Sequence, residues 1–280
     1  MANEEMRRFW NEAGGPEWVS LEREFDVTLA PFSAELLRRA EPAAGEHALD
    51  VGCGFGTTTI ALARAVGPSG RVMGVDLSAP LLARARERAA EAGLTTIIWR
   101  EADAQDAALP AGHFDLVLSR FAVMFFDDPV AAFHNLLRAT KPGGRLAFAC
   151  WGPVEANPWF TFAGAAIAPH VTVPVPPPGG VGPFSFGDAG HVHEVVAAAG
   201  WAAITIDAFD ADVVQGGGGD ADAVVRHLAR GPVAVALRTA PEADRDAALT
   251  ALHARVAEHM GAGPATWPGR AWMVGAHRRP

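Results

Sequence analysis

Residues 48–56 read Ala-Leu-Asp-Val-Gly-Cys-Gly-Phe-Gly, a short apolar run followed by three glycines at alternate positions. A helix-forming segment, Thr57 to Val66, comes next. This order predicts a strand, a tight turn and the N-terminus of a helix. Alternate glycines allow positive φ and let a ligand lie against the backbone, and the helix end offers free N–H groups with a positive partial charge. The segment therefore predicts a loop that binds the charged tail of a ligand.

Three further strands are predicted to end at the same edge of a sheet. The second strand, 71–75, is followed by Asp76, whose carboxylate can accept both hydroxyls of a ribose. Asp103 follows a third strand, where a carboxylate can accept a hydrogen bond from an exocyclic amine such as that of adenine. The fourth strand, 114–119, ends beside the same crevice. Together these positions predict a site for an adenosine with a small, amino-acid-like tail.

In these motifs the chain resembles the class I S-adenosylmethionine-dependent methyltransferases. It looks closest to the small-molecule group related to the ubiquinone/menaquinone-biosynthesis methyltransferases. The matching segments follow the family's order and spacing, and they are 49–56, 74–78, 101–105, 114–121 and 137–146. The resemblance implies an α/β fold with a doubly wound, mostly parallel, seven-stranded Rossmann-like sheet. It implies S-adenosylmethionine as cofactor, S-adenosylhomocysteine as product, and a last strand, 271–276, antiparallel to its neighbours.

Two other functions remain open on the sequence. A nicotinamide-dependent dehydrogenase would carry G-x-G-x-x-G and an acid about 20 residues later, and Asp76 lies 20 residues past Gly56. The glycines here are spaced G-x-G-x-G, however, and Asp50 directly precedes the loop. A carboxylate there would repel a pyrophosphate but favour an ammonium and a sulfonium. The other candidate is a non-catalytic S-adenosylmethionine-binding regulatory protein, because the motifs indicate cofactor binding only.

The composition of the chain argues against several classes of binding partner. The formal net charge of -9 argues against a nucleic-acid substrate, which needs a basic surface. No apolar run approaches the roughly 18 residues of a membrane span, and the N-terminus lacks the features of a secretory signal, so we expect a cytoplasmic protein without a membrane partner. Two cysteines and a sparse His191-x-His193 pair predict no metal site. A small-molecule acceptor is expected, and homo-oligomerisation is left open.

The chain is predicted to have an N-terminal helical lid, 1–42, and a methyltransferase domain, 43–280. That domain is predicted to comprise a cofactor-binding core, 45–151, and two acceptor-side insertions, 152–187 and 213–264. The second insertion is helical and precedes the last strand. In related enzymes the N-terminal segment closes over the cofactor, so Trp10 and Trp18 are expected either to cover the site or to belong to a helix that packs onto the sheet edge.

The predicted cofactor site follows from the motifs. Glycines and acids carry the family pattern residue by residue, their neighbours in the loops contribute backbone or ring contacts, and Ser119 faces the methionine part through its backbone. Arg120 holds the cofactor carboxylate or a substrate anion, or else pairs with Asp127 or Asp128. The predicted cofactor-binding residues are Trp10, Asp50, Gly52, Cys53, Gly54, Gly56, Asp76, Leu77, Asp103, Ala104, Gln105, Ser119 and Arg120.

The expected chemistry is an in-line displacement in which an acceptor lone pair attacks the methyl carbon and the sulfonium leaves as a thioether. The donor is already activated, so proximity and orientation supply most of the effect. A general base is needed only if the acceptor must lose a proton. No catalytic residue is assigned. His134 and His170 are the candidates for a base, and His134 also fits a packed position on its helix.

The acceptor is predicted to be small and largely apolar, either aromatic or a natural product. Its pocket is expected between the N-terminal helix, the loop after Ser119 and the segment 151–186, because ligands of open α/β sheets bind outside the carboxyl ends of the strands. Aromatic residues in those segments suit a mostly apolar pocket. The predicted acceptor-binding residues are Trp18, Phe121, Met124, Phe125, Trp151, Trp159 and Phe160.

Overall fold

The structure, a computed structural model, describes residues 3–174 and 180–280. Within these ranges the strands are β1 (His47–Val51), β2 (Arg71–Asp76), β3 (Ile97–Glu101), β4 (Phe114–Arg120), β5 (Thr140–Trp151), β6 (Ala202–Val214) and β7 (Thr266–His277). The helices are α1 (Glu4–Glu12), α2 (Gly14–Ser20), α3 (Glu22–Ala40), α4 (Thr57–Val66), α5 (Ala79–Glu91), α6 (Pro129–Ala139), α7 (Pro158–Ile167), α8 (Ala189–Ala198), α9 (Ala221–Leu228), α10 (Pro232–Thr239) and α11 (Glu242–Met260). The sequence predicts a stiff, proline-rich loop over 171–180, and its part 175–179 lies outside the described residues.

The strands form one seven-stranded sheet in the order β3-β2-β1-β4-β5-β7-β6. Strands β1 to β5 run parallel, whereas β7 pairs antiparallel with both β5 and β6. The predicted doubly wound, mostly parallel sheet is thus confirmed, as is the antiparallel last strand. Strand order reverses between β1 and β4, so a crevice is expected outside the carboxyl ends of these two strands.

Strands β6 and β7 extend further than their sequences predict. The sequence indicates 203–209 and 271–276, but the pairing continues to Val214 opposite Thr266. Strand β5 ends at Trp151 opposite Ala271, so beyond that point the two strands form a ribbon of their own. Pro268 lies in this ribbon, where β6 is the only neighbour that pairs with β7 and proline is tolerated. The ribbon carries helices α9 to α11, which occupy the predicted helical insertion.

Three apolar clusters hold the described elements, and the smallest joins Phe25, Phe55 and Leu81. The main core lies between the sheet and its helices, and the Phe32 ring of α3 contacts the rings of Phe121, Trp151 and Phe209. Helix α3 therefore packs across β4, β5 and β6 as an integral layer of the fold. A second core joins α7 to α9, α10 and α11, with Trp267 of β7 at its base. The division at residue 42 into a lid and a domain stays a prediction.

Candidate functional site

A largely apolar cavity lies outside the carboxyl ends of β1, β2 and β4, where the strand order reverses. Its residues surround about 840 Å³ of space, a figure that includes open solvent at its mouth. Its wall contains most of the predicted cofactor residues, namely Trp10, Gly52, Cys53, Gly54, Asp76, Leu77, Asp103, Ala104 and Arg120. It also contains three predicted acceptor residues, Trp18, Phe121 and Phe125.

The three glycines of the loop after β1 all have positive φ, but each is required for a different reason. At Gly52, with φ 63°, an added Cβ would lie 2.1 Å from the Cβ of Ala122. At Gly54, with φ 54°, an added Cβ would meet no atom within 4 Å, because this glycine faces the cavity. Gly56 caps α4, and its Cβ would lie 2.9 Å from the Trp99 ring. The loop thus gives a ligand direct access to backbone at Gly54.

Asp76 joins the two loops that border the cavity. Its Oδ2 accepts a hydrogen bond from the Gly54 N–H (2.8 Å), and its Oδ1 accepts one from the Ser78 N–H (2.9 Å). Burial raises the pKa of this carboxyl, and the backbone donors partly offset the effect. Each oxygen keeps a lone pair, so the carboxylate is fixed in place and still able to accept ligand hydroxyls.

Asp103 presents an unsatisfied acceptor. The side chain is 3% exposed, its Oδ1 accepts from the Gln105 N–H (2.9 Å), and its Oδ2 is buried without a partner among the described residues. The nearby Asn3 amide donates to the Phe125 carbonyl (3.2 Å). Burial raises the pKa of Asp103, and the proximity of Asn3 opposes that rise. A buried carboxylate oxygen normally has a hydrogen-bond donor, so the site fits a ligand that brings one, such as an exocyclic amine.

Four predicted cofactor residues, Asp50, Gly56, Gln105 and Ser119, lie outside the cavity wall. The carboxylate of Asp50 is fully buried beneath the loop, and its Oδ2 accepts from the hydroxyls of Thr58 (2.8 Å) and Thr59 (2.6 Å). This corrects the expected direct contact of Asp50 with the ligand tail: the first turn of α4 covers it.

The other two side chains are also used within the fold. The Ser119 hydroxyl donates to the Val51 carbonyl (2.9 Å), which ties β4 to β1. Gln105 accepts from the Asp128 N–H (2.9 Å) and thereby fixes the start of α6.

The buried Asp50 predicts a pH effect on stability. Burial raises the pKa of its carboxyl from 3.8 to about 6. Its contribution to stability is therefore fully present below pH 3.8 and is lost as the pH rises through about 6, because ionisation then costs more in the folded than in the unfolded state.

We expect Asp50→Asn to be more stable than the wild type by about 1 kcal/mol at pH 7.5, since the amide escapes the charge penalty but leaves one buried donor unpaired. Urea unfolding of both proteins from pH 4 to 8 measures the difference. A gap that does not widen between pH 4 and 7 would contradict the assignment.

Arg120 faces the cavity without an ionic partner. Its Nη1 donates to the Ser33 hydroxyl (2.8 Å), and no carboxylate of the described residues pairs with it. The predicted alternative, a pair with Asp127 or Asp128, is wrong for this conformation. Both are exposed, and Asp128 accepts from the Ala131 N–H at the start of α6 (2.9 Å). Burial lowers the pKa of Arg120, and Asp26 and Asp50 oppose that shift.

Helices α1 and α2 roof the cavity and are fastened to the loop after β2. The Asn11 side chain donates to the Leu77 carbonyl (2.9 Å) and accepts from the Ala79 N–H (3.0 Å), while the Ser78 hydroxyl donates to the Trp10 carbonyl (2.8 Å). These bonds hold the Trp10 ring edge-on to the rings of Trp18 and Phe125, with centroid distances of 5.4 and 5.8 Å. The corner between the two helices falls at Ala13, and Gly14 begins α2.

The remaining predicted acceptor residues, Met124, Trp151, Trp159 and Phe160, do not line the cavity. Trp151 stacks behind Phe121 with a centroid distance of 4.1 Å, and Trp159 packs on Trp151 at 4.9 Å. The Met124 sulfur accepts from the Trp151 N–H (3.3 Å), and the Phe160 ring packs at 4.7 Å against Phe184 of the same insertion.

The described residues of 151–186 that were expected to roof the acceptor thus do not line this cavity, and the acceptor site stays a prediction. These aromatic residues pack on one another and support Phe121 from behind. Phe121 itself has φ 55°, a left-handed conformation that is rare and strained for a bulky residue.

Neither candidate base lies at the cavity. The Nδ1 of His134 is 3.4 Å from the Ala199 carbonyl oxygen, between α6 and α8, so this histidine is packed within the fold. His170 is exposed beyond the end of α7. Sequence reasoning missed several wall residues, among them Asn3, Leu29, Phe55, Ala122 and Phe126. The sequence could have indicated Phe55 and Ala122, because they lie in or beside the motif segments. Nothing in the sequence marks Asn3 or Leu29.

Among residues 3–174 and 180–280, no helix is both long and apolar enough to cross a membrane. Among the same residues, no group of three or more histidine, cysteine, aspartate or glutamate side chains could hold a metal ion.

Comparison with known proteins gives a family and several relatives. Residues 48–144 match the family described as a methyltransferase domain. Nocamycin O-methyltransferase of Saccharothrix syringae is 35% identical over 182 residues, which cover 61% of this chain and 64% of that protein. Demethylmenaquinone methyltransferase of Anoxybacillus flavithermus is 35% identical over 112 residues, or 40% of this chain and 47% of that protein. The chain thus spans less than two thirds of the length of these curated relatives.

A solved structure supports the fold. The YcgJ protein of Bacillus subtilis superimposes with a TM-score of 0.59 over 90% of this chain and 99% of that one, at 17% sequence identity. At this identity the similarity shows the fold alone.

Proposed function

Because residues 48–144 are a methyltransferase domain of the class I, S-adenosylmethionine-dependent kind, we propose that this protein transfers the methyl group of S-adenosylmethionine to a small, largely apolar acceptor. The observation that carries the proposal is the pair of carboxylates on the cavity wall. Asp76 holds free lone pairs toward the cavity, and Asp103 has a buried oxygen that lacks a donor. A ribose diol and an adenine amine would satisfy both.

The cofactor supplies a methyl group already activated as a sulfonium, so the residues of this chain need to bind, align and desolvate the reactants. Asp76 accepts the ribose hydroxyls and Asp103 accepts from the adenine amine. Gly54 lets the tail lie against backbone, since an added Cβ there would enter open space. Trp10 covers the adenosine from above. The walls that exclude water from the reacting atoms are Trp18, Phe121 and Phe125.

An oxygen atom is the acceptor atom we favour, because nocamycin O-methyltransferase, which matches 61% of this chain, is an O-methyltransferase. The expected cytoplasmic location and the absence of a nucleic-acid partner stay predictions from the sequence.

The first test is cofactor binding. We expect isothermal titration calorimetry to show one site that binds both S-adenosylmethionine and S-adenosylhomocysteine with micromolar dissociation constants, and no binding of NAD as a control. The physical reason is the fit of the two carboxylates and the open glycine to an adenosine with a charged tail. Absence of heat from either compound at millimolar concentration would exclude the proposed function.

The same protein also separates an enzyme from a non-catalytic binding protein. Incubation with methyl-labelled S-adenosylmethionine and a panel of aromatic hydroxy compounds and acids should release labelled, extractable product. Cofactor binding with no transfer to any member of a broad panel would favour the regulatory alternative.

A further inference from the structure

Arg120 is the only positively charged side chain among the described residues that line the cavity. The other charged groups of that wall are Asp76 and Asp103, at the loops after β2 and β3. Arg120 instead ends β4, and most other residues of the wall are apolar, among them Leu29, Trp18 and Phe121. A guanidinium in such an apolar wall is costly unless an anion or several acceptors compensate it.

The nearest carboxylates are already engaged elsewhere. Asp26 accepts from Arg88 (2.8 Å) and from the Thr57 hydroxyl (2.6 Å), and Asp50 lies beneath the loop, bonded to two threonine hydroxyls. Ser33 satisfies only Nη1 of Arg120. The edge formed by Nε and Nη2, which carboxylates engage with two parallel hydrogen bonds, has no partner among the described residues.

The cavity also lacks a group suited to take a proton at this end. Apart from its two aspartates, the titratable wall residue is Cys53, and burial raises its thiol pKa well above the usual value. The chain has no tyrosine, and its lysine, Lys141, pairs with Asp115 at the start of β4 (2.7 Å). Among the described residues of the cavity wall, a neutral hydroxyl would therefore find no base near Arg120.

We propose, on the basis of the methyltransferase function above, that the acceptor is an organic acid that is ionised at neutral pH and that Arg120 binds its carboxylate. Arg120 is thus a residue that positions and selects the acceptor. A carboxylate needs no base, because one of its oxygens attacks the methyl carbon with its own lone pair. The new C–O bond forms as the S–CH₃ bond breaks, the electron pair of that bond goes to sulfur, and the products are a neutral methyl ester and a neutral thioether. No proton moves.

The same arginine edge could take the carboxylate of the cofactor's own tail instead. Two observations favour the acceptor. The tail carries an ammonium next to its carboxylate, so the cation gains less from it than from a simple acid. Moreover, Arg120 ends β4, which β1 separates in the sheet from β2 and β3, the strands that bring Asp76 and Asp103 to the cavity. The test must nevertheless separate the two sources.

The experiment compares wild type with Arg120→Gln and Arg120→Lys by calorimetry in saturating S-adenosylhomocysteine. The probes are 1-hydroxy-2-naphthoate and 1-naphthol, which differ by one carboxylate. We expect wild type to bind the acid about tenfold more tightly than the phenol, as charge-assisted hydrogen bonds allow. Arg120→Gln should lose that preference, and Arg120→Lys should keep part of it. Arg145→Gln, which removes a cation paired with Glu46 away from the cavity, should leave the preference unchanged.

The cofactor arm uses S-adenosylhomocysteine and 5′-methylthioadenosine, which lacks the amino-acid tail. If Arg120→Gln weakens binding of S-adenosylhomocysteine but not of 5′-methylthioadenosine, the arginine holds the cofactor's carboxylate and the inference is overturned. Equal binding of the two naphthalene probes to wild type, or no binding of the acid at millimolar concentration, would also overturn it. If circular dichroism shows that Arg120→Gln does not fold, the ratio of the dissociation constants of the two naphthalene probes is measured instead in Arg120→Lys and Ser33→Ala. Ser33→Ala removes the hydroxyl that is bonded to the guanidinium. Loss of S-adenosylhomocysteine binding by wild type would instead refute the proposed function itself.

Discussion

Gly52→Ala is expected to lower the free energy of unfolding by about 3 kcal/mol or more. Two costs add. A residue with a Cβ pays about 1–2 kcal/mol for the left-handed conformation that Gly52 adopts at φ 63°. The new methyl would also lie 2.1 Å from the Cβ of Ala122, so the loops after β1 and β4 must move apart, at about 1–3 kcal/mol for such overpacking. Urea unfolding monitored by circular dichroism measures the change.

Gly54→Ala is the matched control, because it adds the same atom at a similar φ of 54°. Here the methyl meets no atom within 4 Å, so only the conformational cost of about 1 kcal/mol is expected. The same methyl points into the cavity. It should lower the binding free energy of S-adenosylhomocysteine by more than it lowers the free energy of unfolding. Equal destabilisation by the two substitutions would contradict the close contact between Gly52 and Ala122.

Asp76→Ala is expected to weaken binding of S-adenosylhomocysteine by about a hundredfold, or about 3 kcal/mol. The carboxylate would lose hydrogen bonds from both ribose hydroxyls, and a hydrogen bond to a charged group contributes about 1.5–3 kcal/mol. The substitution also frees the N–H groups of Gly54 and Ser78, which now bond to the carboxylate at 2.8 and 2.9 Å. Calorimetry gives the dissociation constants.

Two controls separate ribose binding from loop disorder. Asp76→Asn keeps one acceptor oxygen and the shape of the side chain, so its loss of affinity should be intermediate. Binding of 5′-methylthioadenosine should fall by the same factor as that of S-adenosylhomocysteine, since both carry the ribose. An unchanged dissociation constant in Asp76→Ala, with the fold intact by circular dichroism, would refute the assigned role.

The sequence was sufficient for the elements whose structure is set by near neighbours along the chain. Helix α4 begins at Thr57 and ends at Val66 as predicted, because the glycine loop directly precedes it and Gly67 directly follows it. Asp76 and Asp103 come to the cavity because each follows the carboxyl end of a parallel strand, and such ends share one edge of the sheet. The family and its fold were recognised on the same local grounds and are confirmed.

Tertiary packing decided which side chains face the cavity. Nothing in the sequence distinguishes Phe121 and Phe125 on the wall from Met124 behind it, or Trp18 from Trp151. Their positions depend on where α3 and the insertion place their own aromatic rings, and a ring that stacks on another ring is not exposed to a ligand. The extra length of β6 and β7 has the same origin, because the two strands lengthen only by pairing with each other.

The charged residues show most clearly which features the sequence determined and which the tertiary structure decided. Asp50 and Arg120 are both predicted cofactor ligands, and their positions at the ends of neighbouring strands gave no reason to separate them. In the folded chain the hydroxyls of two α4 threonines donate to Asp50, whereas Ser33 is the one described residue that hydrogen-bonds to the Arg120 side chain. The sequence by itself determined the sheet, the glycine loop and the adenosine-side acids, because these follow from local chain geometry. Whether a charge is covered or left facing a cavity is decided by partners distant in sequence, and only the tertiary structure specifies those.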